Sequence, residues 1–554
     1  MYSVMGDCSG AGITMRCTGQ ILHVKSGPGK IFAAVLAIFL AACVDASSAG
    51  AAPNQPEEAS IQRPNVIIIL ADDLGLGDVS AYNSNSKIST PNIDALARRG
   101  ILFTDGHSGS TVCTPSRYAL LTGEYAWRGP LRDGVLMPWD PPIISPKQDT
   151  LAELFVRAGY ETAHIGKWHL GFLWPWRGEQ PDRNDILEGG WISTATSDLF
   201  DWSRPLLGGP VDHGFDSYFG DDVPNFPPYA WIEDDHIQHA DILTDVPRSL
   251  LITTGYSGGI HGSGPGEPGW RLDAVTPALQ QRAVDFIRDR DSAERPWFLN
   301  LWLTSPHTPI VPLPEFDGSS SAGTYGDYVV QTDAAVGAVV DALEATGQLD
   351  NTLIWLTSDN GPETFSYRLY RRFQHDGVAG LRGVKGDAWE GGHRVPFIAS
   401  WPAGGLAKGQ VEAALVSQID IYATMAELLG LVVPEGAARD SVSLAGLLRG
   451  KGDTGRDALV YHAANGNLGL RAGNWVYLPD GGFGRGSGAM WEEPQWIRDL
   501  RGVVPHNGTE ALYDLSDDPT ELNNVIDEFP VVAARLREQL DSLTSADERM
   551  LSGE

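Results

Sequence analysis

Uninterrupted apolar runs alternate along the chain with segments of helical periodicity. The first run, Asn65-Val66-Ile67-Ile68-Ile69-Leu70, follows Arg63-Pro64 and has no polar position after Asn65. A strand that is apolar on both faces fits the centre of a parallel sheet, where helices cover each side. Trp297-Phe298-Leu299-Asn300-Leu301-Trp302-Leu303 and Leu353-Ile354-Trp355-Leu356-Thr357 read the same way. Between them, residues 91–100 (PNIDALARRG) predict a helix, with Thr90 as N-cap, Pro in the first turn and Gly after the end. Residues 150–159 (TLAELFVRAG) share that grammar, with Thr150 as cap and Gly159 as stop, and residues 327–347 predict a longer helix. Strands alternating with helices predict an α/β fold built on a layered sheet.

Beyond residue 404 the pattern changes. A helix near 420–429, strand-like pieces at 468–471 and 475–478, and a terminal helix over 530–543 predict a smaller α+β unit. No internal repeat is evident. Residues 172–275 are rich in Trp, Pro, Gly and Asp and read as long loops, a usual place for substrate contacts.

The bulk numbers narrow the function. The 554 residues are 42% hydrophobic, enough for a large core and too apolar for disorder. The formal net charge of -31 excludes nucleic acid as a natural partner. It also repels small anions, so any anion site must be a local concentration of cations. Residues 25–43 run from a positive flank through IFAAVLAIFLAA to Cys43. The run is too short for a comfortable membrane span, and Leu40-Ala41-Ala42-Cys43 resembles a bacterial lipoprotein box. A leader over 1–42 is therefore expected, with lipid on Cys43 and a flexible tether over 43–62; cleavage near 46–51 is the alternative. The stretch before Lys25 is long for a leader, so the true start could lie downstream of Met1. Either way the protein is expected to be exported, to the periplasm or as an outer-membrane or cell-surface lipoprotein. Of the four cysteines, Cys8 and Cys17 fall in that leader, so Cys113 is left without a structural partner.

Chemistry-bearing residues follow the apolar runs. Asp72-Asp73 comes after the first and Asp359-Asn360-Gly361 after the third. In an open α/β sheet ligands bind beyond the carboxyl ends of the strands, and three carboxylates with an amide oxygen suit Ca²⁺ or Mg²⁺. N-capping of the following helices is the alternative for either pair alone. Thr114 can cap a helix whose first residue is Pro115, which places Cys113 at its N-terminus, where the dipole favours an anion, with Arg117 on the same face. Lys167 and His169, two apart on an extended chain, would face one way. His307 lies in a turn framed by Pro306 and Pro309, and Lys385 in a Gly-framed loop.

Cys113-Thr114-Pro115-Ser116-Arg117 followed by Leu121-Thr122-Gly123 resembles the signature of type I sulfatases in the alkaline phosphatase superfamily. Gly166-Lys167-Trp168-His169-Leu170-Gly171 resembles that family's second signature, and the likeness extends from Asp72-Asp73 to Leu512-Tyr513-Asp514-Leu515. The resemblance implies an alkaline phosphatase-like catalytic domain over 63–403, with its large sheet mostly parallel, and a C-terminal subdomain over 404–554. It implies that a maturation enzyme converts Cys113 to Cα-formylglycine, whose hydrate attacks sulfur. It implies Ca²⁺ held by Asp72, Asp73, Asp359 and Asn360, with Arg117 orienting the diol and Lys167 and Lys385 neutralising sulfate. His307, with Lys385, would protonate the leaving alcohol, and His169 would take the proton that reforms the aldehyde.

The rival within the superfamily is a phosphonate or phosphate ester hydrolase; the rival of another class is a lipid-anchored glycan-binding protein using its many Trp side chains. The family's Lys and His pattern around sulfate, matched by Lys167, His169, His307 and Lys385, favours a sulfate monoester, and the complete acid, base and cation set is left unexplained by a binding protein. Residues 211–220 resemble stretches of carbohydrate and aryl sulfatases, and export suggests a sulfated glycan, with 6-O-sulfated galactose or N-acetylgalactosamine as the expected sugar. Trp168, Asp222, His375 and Arg382 are further candidates for leaving-group contacts. Asn507-Gly508-Thr509 matches a glycosylation acceptor, to which a bacterial export signal gives no role.

Overall fold

The three apolar runs are neighbouring parallel strands. The computed structural model describes residues 13–17, 20–24, 63–251, 262–451, 456–484 and 492–551. In it β1 (Asn65–Asp72), β2 (Ile101–Phe103), β3 (Glu161–Gly166), β4 (Ser217–Gly220), β5 (Ile232–Glu233), β6 (His236–Ile237), β7 (Trp297–Pro306), β8 (Thr352–Ser358), β9 (Phe397–Ser400) and β10 (Gln410–Glu412) form one ten-stranded sheet. Their spatial order is β6-β5-β4-β3-β7-β1-β8-β9-β2-β10. From β4 to β8 every neighbouring pair is parallel, so these strands end at one edge.

Alternation along β1 explains its composition. Val66, Ile68 and Leu70 enter the core on one face, and Ile67, Ile69 and Ala71 enter the core on the other. Helices α2 (Cys113–Thr122), α3 (Leu151–Arg157) and α7 (Asp420–Leu429) cover the first face. Helices α1 (Pro91–Arg99), α4 (Val275–Arg288) and α5 (Gly323–Ala345) cover the second. The expected α/β architecture, mostly parallel and flanked by helices, is what the chain forms.

The helix ends differ in detail from the reading of the sequence. Thr150 does close a capping box: its hydroxyl accepts from the Glu153 N–H at 3.2 Å, and Glu153 accepts from the Thr150 N–H at 2.8 Å. Thr90 makes no such cap. Its hydroxyl instead joins Ser80 and Asp94, and Asp333 of α5 accepts from the Asn92 and Ile93 N–H groups. Thr114 does not cap α2, which begins at Cys113; the Thr114 hydroxyl accepts from the Leu136 N–H.

The aromatic stretch after residue 172 builds core. Trp174, Trp176 and Phe200 pack around Trp139, with ring centroids 5.0, 6.1 and 4.6 Å away. In the C-terminal part, β11 (Ala458–His462), β12 (Leu468–Ala472), β13 (Trp475–Leu478) and β14 (Ala511–Asp514) form an antiparallel sheet. The terminal helix α8 (Pro530–Leu551) packs on it through Ala533, Leu536 and Leu540. A buried joint ties this sheet to the main body. Arg471 of β12 lies 3.2 Å from Asp105 and 3.6 Å from Glu390, Arg394 pairs with the same two carboxylates, and His107 meets Asp105 and His393 at 2.9 Å each.

Residues 13–17 and 20–24, within the segment expected as leader, pair as an antiparallel hairpin. Cys43 and the segment 43–62 lie outside the described residues. Among the described residues no helix is long and apolar enough to cross a membrane.

Candidate active site

The parallel strands deliver their last residues to one edge. Asp72 ends β1, and Asp73 follows with φ +65°, a left-handed conformation that a non-glycine residue holds only where its surroundings impose it. Asp359 and Asn360 follow β8, Lys167 follows β3 and His307 follows β7. The chain after β3 is not extended as expected. Gly166 and His169 take φ of +120° and +54°, so the strand turns sharply at the site. The His169 N–H donates to the backbone oxygen and to Oδ1 of Asp222, which anchors the turn.

All ten predicted residues converge. Arg117 donates Nε and Nη2 to Asp359 Oδ2 at 3.0 and 2.8 Å, and Nη1 to the Lys167 carbonyl at 3.0 Å. Lys167 Nζ donates to Asp72 Oδ2 at 2.6 Å, and Lys385 Nζ lies 2.6 Å from Asp73 Oδ1. The Cys113 thiol lies 3.8 Å from Asp72 Oδ1, and His307 Nε2 lies 3.7 Å from Asp73 Oδ2. The Asn360 amide donates to Asp73 Oδ1 at 2.7 Å. His169 Nε2 reaches the Leu136 carbonyl at 3.0 Å, leaving Nδ1 buried without a partner.

Burial sets the electrostatics. It raises Asp73 to about 6 and Asp359 to about 7, against the pull of Lys385 and Arg117 respectively, with the neighbouring carboxylates adding to the rise. Asp72 is also buried, yet Lys167, His307, Arg117 and Lys385 together hold it well below the usual carboxylate range. Burial pushes the Cys113 thiol up to about 12, so as a thiol it is a poor nucleophile. Burial and the Lys385 ammonium hold His307 down to about 3; burial and Lys167 hold His169 well below the imidazole range.

The donor set fits a hard divalent cation. Asp73 Oδ2 and Asn360 Oδ1 are buried without hydrogen-bond partners, and the Asp72 and Asp73 carboxylates offer oxygens within 4.8 Å of each other. Buried oxygens are left bare in this way where something positive belongs between them.

Three of the further candidates have structural roles. Trp168 is fully buried and donates Nε1 to the Gly171 carbonyl. His375 bridges Asp78 Oδ1 and the Lys87 N–H, and Arg382 pairs with Glu493 and the Glu521 carbonyl. Asp222 alone stays at the site. Glu363, whose carboxylate acts on Asp73 and Lys385, went unnoticed in the sequence, although it stands three residues after Asn360. Tyr325, which donates to Asp78 Oδ2 at 2.6 Å and lies 3.5 Å from the Asp73 carbonyl, has no local signal at all.

Cations that can hold an anion, beside a group of carboxylates that could hold a divalent metal, suit a hydrolase of anionic esters. Comparison with known proteins narrows that class. The sulfatase family pattern matches residues 64–431, and the chain belongs to the sulfatase family. It is 34% identical over 503 residues to an N-acetylgalactosamine-6-O-sulfatase of Bacteroides thetaiotaomicron, covering 87% of this chain and 93% of that protein. It is 33% identical to arylsulfatase A of Bos taurus, covering 86% of each. A solved structure described with the metabolism of multiple glycosaminoglycans by Bacteroides thetaiotaomicron superposes with a TM-score of 0.73 at 31% identity. That match covers 87% of this chain and all of the other.

Proposed function

We propose that this enzyme hydrolyses a sulfate monoester on a sulfated carbohydrate, with 6-O-sulfated galactose or N-acetylgalactosamine as the sugar. The observation that carries this reading is the convergence of Arg117, Lys167, Lys385 and the Asp72, Asp73, Asp359, Asn360 set on the buried Cys113. The sugar is supported by the relative named for N-acetylgalactosamine 6-O-sulfate.

In this reading a formylglycine-generating maturation enzyme converts Cys113 to Cα-formylglycine. Hydrated, that residue would supply a hydroxyl nucleophile, and Asp72, Asp73, Asp359 and Asn360 would hold a calcium ion that supplies positive charge to the sulfate oxygens. The chain's own residues do the rest. Lys167 and Lys385 face the sulfate and offset its charge. Arg117, locked on Asp359, keeps the nucleophile oriented. His307 and Lys385 deliver a proton to the leaving oxygen; burial and the Lys385 charge hold His307 down, and the entering anion offsets the second of these. His169, neutral and with a bare Nδ1, accepts the proton released when the aldehyde reforms. Residues 63–403 form the catalytic domain and 404–554 a supporting subdomain, whose β10 and α7 complete the main sheet and its first helical face. Export with a lipid anchor on Cys43 would put the enzyme where sulfated polymers are met.

A sulfate-release assay over a panel of sulfated sugars tests the proposal. Wild-type protein from a host with the maturation enzyme should release sulfate, and Cys113→Ala should lower the rate by at least about a thousandfold. Release of phosphate from matched phosphate esters instead, or full activity in Cys113→Ala, would overturn it.

A further inference from the structure

Beside the sulfate centre lies a cavity of about 570 Å³ for which that chemistry has no use. Its walls are the segment after His307, the start of α5, and α6 (Ser366–Phe373). Ile310, Phe365 and Phe373 give it apolar walls. Arg368, Arg371 and Arg372 line it as well, within five consecutive residues of a chain whose net charge is -31. Among the described residues neither Arg371 nor Arg372 is paired with a carboxylate; their guanidinium groups lie over the Trp496 and Phe373 rings. All three arginines are exposed, so Arg371 and Arg372 are available to an incoming anion, and together they concentrate positive charge on one face of an acidic protein.

The cavity is tied to the open side of the active site through the chain. Arg117 and Lys167 have fully buried side chains, whereas those of His307 and Lys385 are 12% and 8% exposed. A leaving alcohol served by His307 therefore departs on that side. Ile310 stands three residues beyond His307, and Phe365 two beyond Glu363. Tyr325 belongs to both places: it lines the cavity and its hydroxyl reaches toward the Asp73 carbonyl.

We propose that this cavity is a subsite for an acidic sugar next to the residue that bears the scissile sulfate. Its ring would lie against Phe373, and its anionic group, a carboxylate or a second sulfate, would meet Arg371 and Arg372. The substrate is then an anionic oligosaccharide rather than an isolated sulfate ester. This rests on the sulfated-carbohydrate reading above and extends it to the neighbouring unit.

The test uses disaccharides of 6-sulfated N-acetylgalactosamine joined to neutral galactose, to glucuronate or to sulfated galactose. Wild-type enzyme should show a lower KM for the acidic pairs. In Arg371→Glu/Arg372→Glu that preference, as the ratio of KM for neutral to acidic disaccharide, should fall about tenfold with kcat preserved. Arg371→Gln/Arg372→Gln should fall between. The acidic pair that responds more identifies carboxylate or sulfate as the anion. An unchanged ratio, or an equal KM rise for every disaccharide, would refute the subsite. Titration of the same compounds into Cys113→Ala protein reads binding without turnover. If wild-type protein hydrolyses none of them, the function reading fails, while a charge-dependent dissociation constant would still uphold the subsite and its absence would end it.

Discussion

Two of the buried charge clusters among the described residues are built on opposite principles. At the joint between the main sheet and the C-terminal sheet, Asp105 and Glu390 are each met by Arg394 and Arg471. Burial would raise Asp105, but the His107 hydrogen bond and the two guanidinium groups hold its carboxyl well below its usual range. At the sheet edge, Asp73 and Asp359 are raised despite the cations beside them, and bare oxygens point inward. His107, Glu390 and His393 also bring donor atoms within 4.8 Å of one another, as a metal site would. The two arginines already balance the joint, so a divalent ion there would add uncompensated charge. One cluster has a guanidinium for each carboxylate; the other, with Glu363, sets four carboxylates against Arg117, Lys167 and Lys385 and leaves Asp73 Oδ2 and Asn360 Oδ1 bare, which suits it to take a cation.

This contrast can be broken by measurement. Asp105→Asn removes the shared partner of two buried guanidinium groups and should cost about 3–5 kcal/mol of unfolding free energy, with or without calcium. A calcium-dependent loss there would place the metal at the wrong cluster.

The next effect concerns the sheet edge. Calcium at a hundredfold excess over its dissociation constant should add about 3 kcal/mol, and Asp73→Asn should abolish most of that increment. The increment depends on pH in a defined sense. Asp73 and Asp359 titrate at about 6 and about 7, above the 3.8 of an unfolded aspartate, so in metal-free protein their ionisation opposes folding as pH rises through that window. Calcium requires the ionised forms. The gain in thermal midpoint on adding calcium should therefore grow from pH 5 to about pH 7 and level off above it. A gain that shrinks with rising pH would contradict the assignment.

The smallest effect is a control. Thr150→Ala breaks the α3 capping box away from both clusters and should cost about 1 kcal/mol, equally in the presence and absence of calcium. Calcium dependence there would show that the metal acts on the whole fold rather than on one edge.

Much of this was legible in the sequence because the decisive signals are local. Each apolar run ends in its functional residue, and a parallel sheet brings such ends together without further instruction, so Asp72, Lys167, His307 and Asp359 needed only their positions after strands. The hidden parts depend on distant partners. Asp333 supplants Thr90 at the start of α1 from across 240 residues. Tyr325 reaches Asp78 from 247 residues away. The turn that aims His169 is held by Asp222, whose role appears only when β3 and β4 lie side by side. The aromatic stretch after residue 172 looked like loop because its side chains pack on one another rather than in a periodic element.

The central claim is that the buried residue at position 113 works as an encoded aldehyde and not as a thiol. Mass spectrometry of the peptide containing residue 113, from protein made in its native host, tests this directly. The account predicts sulfur replaced by aldehyde oxygen at that residue, in proportion to the sulfate-releasing activity of the preparation. An intact Cys113 thiol in fully active protein would contradict it.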